Sequence, residues 1–497
     1  MLRYTGHPLV DVGAATIAAF VNKWDLGSVT EGDLDEVAEY AANQYVANPL
    51  KSFLNVAFPN SGFTQPAFES RPEKRASYAN SVLRAARAPG ASDDRARCVF
   101  TGKDATSVAF SETLPPGRAF RQHIPMITGE GFINFYPWGD AGLPVSGEAL
   151  LCIQVFPLGC AKCGGKLLAV HSDNPDLIRE FAGEFLSENR RAVQLAQESH
   201  STKMPEARAS AKTLLVDTLL RAERRRRDEA REERPSSVTA YHLTNSGQSN
   251  PLDVRNPPLS IYYLPTQVTG FLRAVATPEY STEWGEIVRR AWRLARKQTP
   301  GNQAEESADD GRPRHNYLYE DLFCLPDRAG AFVRRYLLRV PVRSPRTEDP
   351  RREYSLRREA DLVSWKLTDL FLRKVIGMDK ERISQIRDLG DRLAGYVDAE
   401  ADWGFLRGFF DHRYDRVRMA LIKANNTNLK RGREPLITLD PYLEVFEDGD
   451  ELARADWRLA RDLVYIRVVE QLYERGRLRT QPDVLPEAPA DTEEVAS

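Results

Sequence analysis

Cysteine and methionine are scarce in this 497-residue chain, and histidine is nearly so. The five cysteines, at 98, 152, 160, 163 and 324, are odd in number and unevenly spread, which excludes a secreted disulfide framework and fits a reducing cytoplasm. Seven histidines leave hydrolytic chemistry short of parts, and the chain contains no G-x-S-x-G, H-E-x-x-H or P-loop pattern. Apolar runs are short as well. The longest, Ala149 to Leu158, is broken by Gln154 and Pro157 and is half the ~20 residues that a membrane span needs. Asp11 interrupts the first apolar stretch, so the N-terminus does not read as a signal peptide. Charge of one sign is missing too: 69 Lys and Arg offset 71 Asp and Glu, leaving a net charge of -2. That balance excludes a uniformly basic nucleic-acid coat and directs attention to local clusters. No internal repeat is visible.

The length is enough for two or three domains. Residues 7–24 read as a turn followed by a helix, and 33–47 as an amphipathic helix through Leu34, Val37, Ala38, Ala41 and Ala42. From 98 to 175 glycine, proline and aromatics predict strands and loops, with β-prone pieces at Phe132 to Tyr136 and Lys166 to His171. Helix returns over 174–234, where Pro175 begins one element and Leu215, Val216, Leu219 and Leu220 form a stripe running into RAERRRR at 221–227. A β-like PPLSIYYLP lies within 256–276, and 281–297 is helical in pattern. The polar insertion 299–315 reads as a flexible loop, and a proline-arginine stretch at 341–352 reads as a separator. Beyond it, Leu362, Trp365, Leu372 and Ile376, then Trp457, Ala460, Val464, Val468 and Leu472, recur at helical steps, with Gly476 as a stop. The fold class expected is therefore α+β: a mixed body over 1–345, a C-terminal bundle of about four helices over 350–480, and a disordered acidic tail at 481–497.

A structural zinc takes four soft or imidazole donors, usually as two close pairs, and the sequence offers one clean pair, Cys160 and Cys163. Buried thiols in a glycine-rich corner are the preferred reading, and the strand pattern after Gly164 and Gly165 argues against a redox pair. His412 with Asp415, or His171 with Asp173, suggests acid/base or metal work, against the commoner role of helix cap. Between Trp403 and Arg433 the basic residues Arg407, Arg413, Arg416, Arg418, Lys423, Lys430, Arg431 and Arg433 outnumber the acids, with Trp403, Phe405, Phe409, Phe410 and Tyr414 interleaved. The rings fit a bundle core and the cations fit phosphate contact. In the loop 114–131, Arg118, Arg121, Gln122 and His123 lie among glycines that permit close backbone approach.

Two stretches carry a resemblance: YTGHPLVDVGAATI at 4–17 and GEGFINFYPWGDAGLPVSGEALLCIQVFPLGCAKCGGKLLAVHSDN at 129–174. They resemble the large subunit of a type I CRISPR Cascade, of the CXXC-CXXC group in subtype I-B and its myxobacterial relatives. The resemblance covers about the first 180 residues and extends by architecture to the C-terminal helices, which are similar to that family's small-subunit-like bundle. The family's first C-x-x-C falls on Cys98-Val-Phe-Thr101 and its second on Ser146-Gly-Glu-Ala149, so three of four ligand positions have changed. A degenerate zinc-finger-like insertion, held by packing without metal or cofactor, is the expectation. The resemblance implies a cytoplasmic, non-enzymatic subunit of an antiviral ribonucleoprotein. Its partners would be guide RNA, target DNA, backbone and guide-processing subunits, and a recruited helicase-nuclease or transposition machinery, with no membrane. Motif reading is then expected from Arg118, Arg121, Gln122, His123 and Asn134, with Lys162 and Lys166 as further nucleic-acid contacts. The 403–433 patch would hold the displaced strand. An internal start at Met378 would release the C-terminal helices as a separate small subunit. The competing readings are a metal-dependent nuclease around 411–415 and a free-standing regulatory DNA-binding protein, which lacks a convincing helix-turn-helix.

Overall fold

The computed structural model describes residues 2–91, 96–127, 129, 139, 141–229, 236–245, 256–293, 314–337, 365–409, 411, 413–448 and 452–480. The chain divides into two bodies, Met1–Thr269 with Leu294–His315, and Gly270–Arg293 with Asn316–Ser497. Both are mixed or helical as expected, with an antiparallel sheet in the first and helices dominating the second. Asn134, the strand-like piece at 132–136, the insertion at 299–313, the separator at 341–352, Leu362, Phe410, His412 and the tail at 481–497 lie outside the described residues.

At the centre of the first body is α1 (Pro8–Phe20). Pro8 occupies its first turn, where the missing N–H costs nothing, and every residue from Val10 to Ala18 is buried. A helix apolar on all sides must be surrounded, and α1 packs against α3 (Gly147–Val155), α4 (Pro175–Glu198) and strand β2 (Lys166–Ser172). Gly13 makes this possible, because a Cβ there would stand 1.9 Å from the carbonyl oxygen of Cys152 on α3. Helix α2 (Glu31–Gln44) begins with a reciprocal Thr30 and Asp33 capping box and buries Val37, Ala38 and Ala41.

The four-stranded sheet runs β1 (Ala161–Cys163), β2, β3 (Val238–Leu243), β4 (Leu259–Leu264), antiparallel throughout. Cys163 pairs with Lys166 across Gly164 and Gly165, whose φ values of +56° and +74° are those of a tight hairpin turn. Helices α4 and α5 (Ala211–Asp228) connect β2 to β3.

One correction concerns 98–175, expected as strands and loops. The run that begins at Ala149 is helix: Ser146 Oγ accepts from the Ala149 N–H at 3.3 Å and caps α3, whose apolar residues are then buried on every side. A short, uniformly apolar run has no period by which sequence alone separates buried helix from buried strand.

In the second body α6 (Lys380–Glu400) lies against α10 (Trp457–Glu474). Around them are α7 (Trp403–Phe409), α8 (Tyr414–Lys430) and α9 (Leu439–Phe446). The division between bodies falls earlier than the proline-arginine separator, and Phe271 and Phe332 pack on Phe371 within the second body. Phe371 stacks on Phe332 with centroids 5.1 Å apart and meets Phe271 edge-on at 5.2 Å. Near the other end Arg382 of α6, 4% exposed, donates to both carboxylate oxygens of Asp456 at 2.7 and 2.9 Å and to the Val445 carbonyl at 3.1 Å. That one side chain ties α6, the end of α9 and the start of α10 together.

Candidate nucleic-acid interface

The expected motif-reading residues are held by the first body in two different ways. Arg118 and His123 are buried, at 5% and 1% exposure. His123 is enclosed by aromatic rings, stacked on Tyr78 at 5.7 Å with Phe120 edge-on at 4.6 Å, and burial lowers its pKa to about 3, so the ring is neutral. Its carbonyl accepts from Gln154 Nε2 at 2.6 Å. Gln122 is half-buried, its carbonyl accepting from the Tyr78 hydroxyl at 2.6 Å, while Arg121 is exposed. Lys166 is 7% exposed and donates to the Pro257 carbonyl at 2.5 Å; Lys162 pairs with Glu206 at 3.2 Å. Of the described residues expected to touch DNA on this body, Arg118, His123 and Lys166 are therefore interior, and Arg121 is the one fully on the surface. Glycine and arginine together in a loop suggest recognition, but they equally suit a loop folded back onto its own core.

On the second body the 403–433 cations lie outward, and many are already engaged. Arg413 pairs with Asp415 at 2.6 Å, Arg416 with Asp411 at 3.6 Å, and Arg431 and Arg433 with Glu400 at 3.4 and 3.0 Å. Arg407, Arg418, Lys423 and Lys430 are exposed and form no ion pair among the described residues. Phe405 and Phe409 are buried, which leaves these two rings unable to stack on bases. Asp415, considered as a partner for His412, is held by Arg413, which lowers its carboxyl pKa.

The thiols are all buried except Cys324. Desolvation raises the pKa of Cys152, Cys160 and Cys163, the last to about 12, with the Cys163 sulfur 3.5 Å from His242 Nε2 and the Cys160 thiol donating to the Phe156 carbonyl at 3.1 Å. Such protonated thiols are poor nucleophiles.

Two arrangements join residues far apart in the sequence. Residues from the two quoted stretches meet at Asp11, which accepts from Thr5 N–H and Oγ–H at 2.7 and 2.9 Å and from Gly6 N–H at 2.8 Å, and lies 3.0 Å from His171 Nε2. Secondly, Thr101 Oγ lies 3.3 Å from Ser146 Oγ, across forty-five residues of chain. The neighbouring Val99 N–H donates to the Pro144 carbonyl at 3.0 Å, and Cys98 is 2% exposed. No family model matches the chain, and no curated protein and no solved structure matches it significantly.

Proposed function

We propose that this chain is the large subunit of a type I Cascade-like effector. It binds the 5′ region of a guide RNA and its target DNA, reads the adjacent motif, and steadies the opened strands. Scission, or transposition, is left to a recruited partner. The observation that supports the reading is the meeting of Thr101 with Ser146. These are positions that the resemblance assigns to the family's two C-x-x-C turns, and they are adjacent in space although distant in sequence. One thiol and two hydroxyls do not suit zinc, which takes four thiolate or imidazole donors. The insertion is accordingly read as a zinc-knuckle-like fold closed by a hydroxyl pair and by core packing.

Within this reading Arg407, Arg418, Lys423 and Lys430 are the cations available to DNA phosphates, and Arg121 is available to a base edge. The experiment is fluorescence anisotropy of a labelled forked DNA with the full chain across a salt series. Four phosphate contacts give a slope of log K against log salt of about -3 to -4, and Arg407→Ala should flatten it by about one. Binding that ignores salt, or magnesium-dependent cutting of the fork by the chain alone, would overturn the proposal.

The internal start at Met378 belongs to the same reading. Gly377 ends the preceding helix with φ +75°, and Asp379 caps α6 by accepting from the Arg382 N–H at 2.8 Å. A product beginning at 378 would thus open on an intact helix cap. Immunoblotting of a C-terminally tagged chain should give a second, shorter band that Met378→Leu removes.

A further inference from the structure

Helix α8 buries Val417, Leu421, Ala424 and Asn428. Its opposite face should be polar, as on an ordinary surface helix. Instead Met419, Ile422 and Leu429 stand 59%, 45% and 46% exposed. With Asn426 they fall at steps of three, four and three residues, the a and d positions of a two-heptad seam, 419 and 426 at a, 422 and 429 at d. The flanking e and g positions are Arg418, Lys423, Asn425 and Lys430, and none is acidic. A lone asparagine at an a position among apolar neighbours fixes register in paired helices at some loss of stability, which is of no use to a face that meets only water.

The adjoining α9 enlarges the apolar area. It is tied to α8 where the Tyr414 and Tyr442 hydroxyls meet at 2.7 Å, and the segment leading into it is tied where Asn425 Oδ1 accepts from the Leu436 N–H at 2.8 Å. Leu439 and Leu443 on it are 69% and 37% exposed. Summed over these five side chains the exposed surface is on the order of 500 Å². Asp440 and Glu444 follow these leucines on the side of α9 turned away from Tyr442 by helical spacing.

We propose that the outer face of α8 is a docking site for an amphipathic helix of a partner protein, with apolar a and d positions and carboxylates at e and g. Charge selects this occupant. A second copy of the chain would set Arg418, Lys423 and Lys430 against their own counterparts, an unfavourable pairing of like charges. Nucleic acid would use the cations and leave the aliphatic side chains facing water. An acid-flanked helix uses both, and the seam asparagine asks for a polar residue opposite.

The test uses the full chain and synthetic helical peptides of three heptads. The first has leucine at a and d, one asparagine at an a position, and glutamate at e and g. The second has lysine at e and g, and the third keeps glutamate but has serine at a and d. In fluorescence anisotropy the first should bind in a salt-sensitive manner, and the second and third at least about tenfold more weakly. Ile422→Asp, a change at a half-exposed position, should weaken the first peptide by a similar factor while leaving the melting temperature unchanged. Lys423→Glu with Lys430→Glu should transfer preference to the lysine peptide. Failure of the first peptide to bind, equal binding of the first and second, or equal binding of the first and third would overturn the proposal. So would self-association in sedimentation that Ile422→Asp abolishes. Loss of forked-DNA binding with peptide binding intact would sink the Cascade-like reading and leave this one standing.

Discussion

Replacing Asp456 by alanine should open the C-terminal body from one side. The Arg382 side chain is 5% exposed and that of Asp456 32%, and their two hydrogen bonds, at 2.7 and 2.9 Å, replace the water each group gave up. Deleting one member of a buried pair costs about 3–5 kcal/mol, because the surviving charge is stranded. Since Asp456 is about a third exposed, water enters the vacated space and softens the penalty. The Val445 carbonyl also continues to accept from Arg382. About 2–3 kcal/mol therefore remains, which at ~1.4 kcal/mol per factor of ten makes local opening about 30- to 150-fold more frequent. Hydrogen exchange followed by mass spectrometry, on peptides covering Lys380–Glu400 and Trp457–Glu474, reads that factor directly. The double variant Arg382→Met, Asp456→Ala removes the stranded charge and should recover part of the protection. Exchange in α6 within about threefold of the parent after Asp456→Ala would refute the reasoning, as would a double variant no better protected than the single one.

Acid should loosen the first body through Asp11. Burial raises that carboxyl's pKa, but hydrogen bonds from His171, Thr5 and Gly6 outweigh burial and hold it below the ordinary value. Its contribution is present above the unfolded pKa near ~4 and is lost as pH falls through the folded value, so Asp11→Asn should flatten the acid limb of a melting-temperature profile. Gly13→Ala should cost about 3 kcal/mol or more in urea unfolding, since its Cβ would meet the Cys152 backbone, whereas Gly285→Ala, with open space at its Cβ, should gain about 0.5–1 kcal/mol. Titration with a disulfide thiol reagent should label Cys324 quickly in the native protein and all five cysteines in denaturant.

Legibility in the sequence followed period. Helices with a clear stripe, such as α2 through Val37, Ala38 and Ala41, were readable because one face meets the core and the other meets water. The strand that begins at Lys166 was readable because β-prone residues follow two adjacent glycines. Helix α3 was not, since it is buried all round. The inward placement of Arg118, His123 and Lys166 was hidden for a related reason. Polar residues enter a core when neighbours distant in sequence supply partners, as Pro257 does for Lys166 and Tyr78 for His123. The α8 seam, by contrast, was there to be found: Met419, Ile422, Asn426 and Leu429 hold heptad spacing, but eight nearby cations drew the reading toward phosphate.

That cation excess also shrinks once partners are counted. Within 403–433 the acids Asp411 and Asp415 engage Arg416 and Arg413, and Glu400, just outside that window, engages Arg431 and Arg433. A window drawn on the sequence misses Glu400 because the turn after α8 brings the chain back to the end of α6. Four cations then remain for a polyanion, and three of them, Arg418, Lys423 and Lys430, flank the apolar seam. A helix docked on α8 would cover those three and leave Arg407, so seam and phosphate cannot both be served at full strength. Bound to such a partner, the chain should lose most of its salt-dependent affinity for the fork, its slope falling from about -3 or -4 to about -1. Measuring the salt slope with and without saturating glutamate peptide decides the point, because an unchanged slope would mean that phosphates are held somewhere other than α8.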